Sequence, residues 1–167
     1  MPGDALMPNP TRTNTGAVTV NAPPGDIWPW LVQIGTRRGG LYSYDWLDRL
    51  FGFLDRPSAT RILPEFQRLA VGDKISLGDA TNSPSQFWNR FARSEHGRSR
   101  YGVVWQFGLN SLDDQRTRLV SSGMERFPKT RPWWMLMRIM EPAAFIMTRR
   151  FLLGVKERSE ALGASAS

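Results

Sequence analysis

The chain has 167 residues, no cysteine, one histidine and a formal charge of +7 at pH 7. Without cysteine there are no disulfides, thiol nucleophiles or thiolate metal sites, and a lone histidine, His96 in a polar stretch, supports neither a histidine-based triad nor a multi-histidine metal centre. The length suits one domain with room for a core and a cavity, and no run of about 18 apolar residues is available to span a bilayer, so a cytoplasmic protein, soluble or peripheral at a membrane, is expected.

Residues 1–11 are polar and proline-rich and are expected to form a disordered tail; residues 12–162 form the domain, and the small residues of 163–167 a second tail. Thr13 to Val20 alternates as a strand does. Pro23 and Pro24 then set the backbone angle of a first helical turn, with Asp26 as a helix-start residue, and Ile27, Trp30, Leu31 and Ile34 follow at helical spacing. Gly35, Gly39 and Gly40 end that helix and turn the chain. A second helix starts near Ser43, with Trp46, Leu47 and Leu50 expected on one face and Asp45, Asp48 and Arg49 on the other. Asp73 to Leu77 reads as a short strand.

Residues 78–100 are ambiguous. Ser83-Pro-Ser-Gln resembles a helix cap, and Phe87, Trp88, Phe91 and Ala92 lie at helical spacing, while Ser94 to Arg100 is almost wholly polar. Tyr101, Val103, Trp105, Phe107 and Leu109 then mark one apolar strand face. Asp113 and Asp114 mark a turn, and Arg118 to Met124 returns as the partner strand. From about Trp134 to Leu162 the pattern is helical, with Pro142 predicting either a kink or a junction of two helices. Ala144, Met147, Phe151 and Val155 form its expected inner stripe, with Thr148 and Leu152 at the edge. Ile146 and Leu153, framed by Arg149, Arg150 and Lys156, form a second stripe that suits either a membrane interface or packing against the first two helices.

Pro23 to Asp45, as Pro-Pro-x-x-x-Trp-Pro-Trp-Leu-x-Gln-x-Gly-x-x-Arg-x-Gly-x-Tyr-Ser-Tyr-Asp, resembles the signature of bacterial SRPBCC proteins, the START-like group that includes polyketide cyclases and lipid-transport domains. Leu63-Pro-Glu-Phe-Gln with Val71-Gly-Asp73, Thr117-Arg-Leu119, and the segment from Phe145 to Arg158 agree in the same order. The resemblance implies an α+β helix-grip fold, a curved antiparallel sheet wrapped around a long C-terminal helix with a cavity between them, and it requires strands within residues 78–100. It implies no single reaction, because the fold hosts carriers and enzymes alike.

The expected function is binding of a hydrophobic or amphipathic small molecule, lipid or polyketide-like, in that cavity. The alternatives are a cyclase or dehydratase-like enzyme using the same cavity, and a basic surface that binds anionic membrane or, less favoured, nucleic acid. Trp105 and Phe107 on the strand face, with Met147 and Phe151 on the helix, are the candidate apolar wall. Arg38, Tyr42, Tyr44 and Asp45 form the candidate polar cluster; Arg38 and Asp45 either meet an anionic head group or clasp each other across the helix junction. General acid-base work would fall to Asp45, Glu65, Asp73 or Glu125. The glycines of the corner lack the spacing and the lysine of a nucleotide-phosphate loop, and no cofactor is expected. Peripheral membrane contact would run through Ile146, Arg149, Arg150, Leu153 and Lys156.

Overall fold

The computed structural model describes Ala5 and residues 7–50, 54, 56–70, 75, 102–126 and 131–166. Strand β1 (Arg12–Val20) leads into helix α1 (Pro24–Val32) and the short helix α2 (Asp45–Leu50). A 3-10 turn (Pro64–Phe66), strands β2 (Gly102–Ser111) and β3 (Thr117–Arg126), and the long helix α3 (Arg131–Ala166) follow. The expectations placed on residues 78–100 and on the strand Asp73 to Leu77 lie outside the described residues, as do those for the side chains of Trp133, Trp134 and Ile139.

The class is α+β: among the described residues a three-stranded antiparallel sheet of order β1-β3-β2, with α3 packed on it. The register pairs Gly16 with Ser121 and Val18 with Leu119 on one side, and Ser121 with Phe107 and Leu119 with Leu109 on the other. Side chains on a strand alternate, so one face carries Gly16, Val18, Val20, Leu119, Ser121, Trp105, Phe107 and Leu109. That face meets α3: a Cβ built on Gly16 would sit 3.1 Å from Leu152, and the Phe107 and Phe151 rings lie 5.5 Å apart. The β2–β3 hairpin closes where the aspartates predict, with Leu112 N–H donating to the Arg116 carbonyl at 2.8 Å and Asp113 paired with Arg116 at 2.7 Å.

Helix α1 starts at Pro24 with Pro23 as its cap, and Ile27, Trp30 and Leu31 are buried, as is Ile34 just beyond it. With Val20, Leu119, Phe151, Leu152 and Val155 they form one core; burying each such side chain stabilises by about 1.5–3 kcal/mol. Thr117, also fully buried, donates its hydroxyl to the Ala22 carbonyl at 2.8 Å and ties the hairpin to the turn after β1.

Helix α3 passes through Pro142 as one helix rather than two, and it continues through residues 163–166, into the stretch expected as a tail. Its 36 residues span about 54 Å at 1.5 Å each, longer than strands of ten residues at about 33 Å. Its C-terminal half packs on the sheet, where Phe151, Leu152, Val155 and Ser159 are buried; Met135, Phe145 and Ile146 stay exposed. Before β1, Met7 is buried and the Pro8 carbonyl accepts from Arg126, so the segment leading into the sheet is tied to it. Among the described residues no helix is long and apolar enough to cross a membrane.

Helix α2 corrects the sequence expectation. Asp48, expected on the charged face, is fully buried, whereas Trp46 and Leu50, expected together on the apolar one, are 68% and 70% exposed. Six residues make under two turns, too few for amphipathic periodicity to decide which side faces in. The hydrogen bonds of Asp48 hold it inward: its carboxylate accepts from the Ser43 hydroxyl and its carbonyl from Leu54 N–H.

Candidate functional site

The Gly-rich corner between α1 and α2 is built by side chains that bind backbone. Gly35 and Gly40 exchange two hydrogen bonds at 3.0 and 3.1 Å, and Gly40 needs its positive φ of 88°; a Cβ there would also strike Ser58. Gln33, fully buried, donates to the Arg61 carbonyl at 3.2 Å and accepts from Leu63 N–H at 2.9 Å and from Gln67 at 3.2 Å. Arg38 donates to the carbonyls of Val32 at 2.8 Å and Phe66 at 3.4 Å, with its guanidinium 4.5 Å over the Phe66 ring. Asp45 accepts from Ser58, from its N–H at 2.9 Å and its hydroxyl at 2.6 Å, and that hydroxyl in turn accepts from Tyr42 N–H at 3.1 Å.

The clasp expected between Arg38 and Asp45 is therefore not formed. Each reaches a different stretch of the 58–67 segment instead, so the motif of Pro23 to Asp45 and the piece beginning at Leu63 are halves of one structural joint. Tyr42 belongs to the core at 1% exposure, with Trp30 edge-on at 5.9 Å and Arg158 4.7 Å over its ring. Burial pushes the pKa of its hydroxyl up to about 12, with the neighbouring Gln33 and the charges of Arg158 and Arg38 opposing the rise. Tyr42 is thus part of the core, while Arg38, half-buried, spends its bonds on the carbonyls of the corner.

Trp105, Phe107 and Phe151 do come together. Trp105 lies 4.8 Å from Phe107 and 5.2 Å from Phe151 between ring centroids, in tilted contacts, and its N–H donates to the Ser121 hydroxyl at 2.8 Å. Met147, half-buried, stands one turn before Phe151 on α3. Trp105 nevertheless stays 36% exposed. Opposite it in the register is Gly123, where a Cβ would meet only the Asn14 carbonyl, 4.0 Å away, among the described residues.

One register step further the same face turns polar. Arg12 pairs in register with Glu125 and forms an ion pair with Glu141 of α3 at 3.1 Å. Burial holds the Glu125 carboxyl above the usual carboxylate range; Arg12 opposes the rise and Glu141 adds to it. Sequence reasoning missed Arg12, although the alternation of β1 carries the signal: it shares parity with Gly16, Val18 and Val20.

Tyr44 and Asp45 lie elsewhere, on the opposite side of α3. With Trp46 they face Arg149, Arg150 and Leu153 across an open cleft of about 610 Å³. Arg150 is held by Glu157 at 2.7 Å, and Arg158, also at the cleft, donates to the carbonyls of Ala59 and Gly154. Lys156, expected in the basic frame, is used otherwise: it donates to the Thr19 carbonyl at 2.8 Å and pairs with Glu160 at 3.3 Å, pinning the end of β1. The eight residues proposed from sequence thus separate into a structural corner, an inner aromatic group and an outer cationic cleft.

No protein-family model matches the chain, and no curated protein or solved structure matches it significantly.

Proposed function

We propose that the chain is a helix-grip domain of the SRPBCC kind that binds a hydrophobic or amphipathic small molecule between the inner face of its sheet and α3. The observation that carries this reading is the part-open aromatic group. Trp105 has its N–H satisfied by Ser121 yet keeps a third of its surface accessible, so what it offers is apolar area rather than a donor. Gly123 beside it adds no side chain to the wall, and Arg12, Glu125 and Glu141 follow at its polar end. An apolar wall ending in a few charged groups matches a molecule with a greasy body and a polar head.

Native mass spectrometry of the purified chain, followed by fluorescence titration with long-chain fatty acids and fused-ring aromatic acids, tests the reading. A co-purifying adduct or saturable binding, weakened about tenfold or more by Trp105→Ala, is the expected result. No adduct and no saturable binding to either ligand class overturns it.

A second reading, a cyclase or dehydratase-like enzyme at the same place, is favoured by one observation. Glu125 is a half-buried carboxyl with a raised pKa beside a guanidinium and a second carboxylate, the kind of environment that tunes a general acid or base. Turnover of a polyketide-like substrate that disappears in Glu125→Gln while binding persists would select this reading.

A further inference from the structure

We infer that α2 and the outer face of α3 together form a docking surface for an anionic lipid bilayer. The surface begins with an inversion: α2 buries the carboxylate of Asp48 and presents Trp46 and Leu50 to solvent. These two stand four residues apart, one above the other on the helix. The open cleft sets Trp46 against Arg149, Arg150 and Leu153, and Phe145 and Ile146, both exposed, extend the apolar surface by one further turn of α3. Leaving large apolar groups in water while a carboxylate is buried runs against stability and calls for a partner that covers them.

Charge selects the partner. Arg149 is exposed at the cleft, Arg150 is half-buried beside it, and Arg49, also exposed, lies between Trp46 and Leu50 in the sequence of α2. Asp45, the one acid among the seven cleft residues named above, has its carboxylate occupied by Ser58; Glu157 offsets Arg150, while Arg149 and Arg158 remain, and the chain as a whole carries +7. Guanidiniums interleaved with Trp, Leu and Ile are the composition of an interfacial surface, in which the rings and aliphatic groups enter the headgroup zone and the cations meet lipid phosphates. A nucleic-acid track would gain nothing from Leu50, Ile146 and Leu153. The cleft is open along its length, which suits a broad surface rather than an enclosed small anion.

Flotation of the full chain with vesicles of phosphatidylcholine, with and without phosphatidylglycerol, tests the proposal. Binding is expected only when phosphatidylglycerol is present, and it falls steeply as salt rises. Arg149→Ala, which removes one charge, should weaken partitioning about fivefold, and Arg149→Glu, a change of two charges, about thirtyfold. Trp46→Ala with Leu50→Ala should weaken it about tenfold or more. All these side chains are exposed, so the melting temperature serves as the folding control. Trp105→Ala should leave flotation unchanged, which separates this surface from the proposed ligand site. The inference is overturned if the wild-type chain fails to float with phosphatidylglycerol vesicles at low salt. It is equally overturned if the Trp46 and Leu50 substitutions leave binding intact, since a merely basic surface that also takes DNA would behave in that way.

Discussion

Replacing Gly154 by alanine tests how closely α3 is pressed onto the Gly-rich corner. In a free helix the change is favourable by about 1 kcal/mol, because glycine gives up more backbone freedom than alanine. At Gly154 the added Cβ would overlap the Tyr42 carbonyl oxygen and come within 3.0 Å of the Tyr42 Cβ and 3.1 Å of its carbonyl carbon. These atoms have nowhere to go: Tyr42 sits at a φ of 52° with its N–H bound to Ser58 and its ring between Trp30 and Arg158. The helix must lift off the corner instead, disturbing Phe151 and Val155 on either side. An overpacking cost of about 3 kcal/mol set against the helical gain leaves a net loss of about 2 kcal/mol. For a chain of this size that lowers the melting temperature by about 4–8 °C. Thermal unfolding followed by circular dichroism reads the effect, with Gly25→Ala in α1 as the control. No described atom lies within 4 Å of a Cβ at Gly25, so the same substitution there should raise stability by up to about 1 kcal/mol. A melting temperature for Gly154→Ala that matches or exceeds the wild type would refute the close approach.

Two further outcomes follow from the corner. Arg38→Ala and Asp45→Ala should each cost about 1–3 kcal/mol, because each strips charge-assisted bonds from buried or half-buried groups; since the two bind different residues, the double-mutant cycle should show coupling within about 0.5 kcal/mol, and a larger value would restore the direct clasp. Asp48 carries the pH dependence. Burial holds its carboxyl above the usual range, against the donating Ser43 hydroxyl and helped by the nearby Asp45 charge, and its Oδ1 has no partner among the described residues. A raised carboxyl makes the native state bind more protons than the unfolded chain, so this contribution to stability is present below the ordinary carboxylate pKa and is lost as pH rises through the folded value. Asp48→Asn should therefore melt higher than wild type at neutral pH, with the advantage fading toward about pH 4. An Asp48→Asn chain that melts lower at neutral pH would show that the ionised carboxylate is itself a stabilising partner.

The elements legible in the sequence are those whose periodicity coincides with burial. Ile27, Trp30, Leu31 and Ile34 announce α1 and its inner side, and the alternation from Tyr101 to Leu109 announces β2 and groups Trp105 with Phe107. The stripe of Phe151 and Val155 marks the face by which α3 packs. In each case the residue's own hydrophobicity is the cause of its placement, so local reading suffices. The same parity rule extended to charged residues would have set Arg12 and Glu125 on the inner face, but a strand end signals nothing about what a distant helix brings to it, and Glu141 comes from α3.

What stayed hidden has one physical character. Gln33, Arg38 and Asp45 each bind a backbone group of residues 58–67, beside the Val32 carbonyl for Arg38 and the side chains of Gln67 and Ser58 for the other two, and that segment's composition does not identify it as a partner. Backbone carbonyls and N–H groups are the same at every residue, so nothing in the composition marks which one a buried polar side chain will find. The pairing of Arg38 with Asp45 looked natural because opposite charges attract, yet the chain path places hydrogen-bonding groups of the 58–67 segment nearer to each.

By itself the amino-acid order determined the hairpin, the amphipathic helices α1 and α3 and the aromatic group shared by sheet and helix, because apolar periodicity acts through each residue's own transfer from water. Only the tertiary structure decided that α2 turns Trp46 outward and Asp48 inward, that Lys156 pins β1, and that Tyr44 and Asp45 look onto Arg149 and Arg150 across α3. Those outcomes depend on which distant backbone group or side chain reaches a position first, and a short helix with mixed faces has too little hydrophobic preference of its own to resist them.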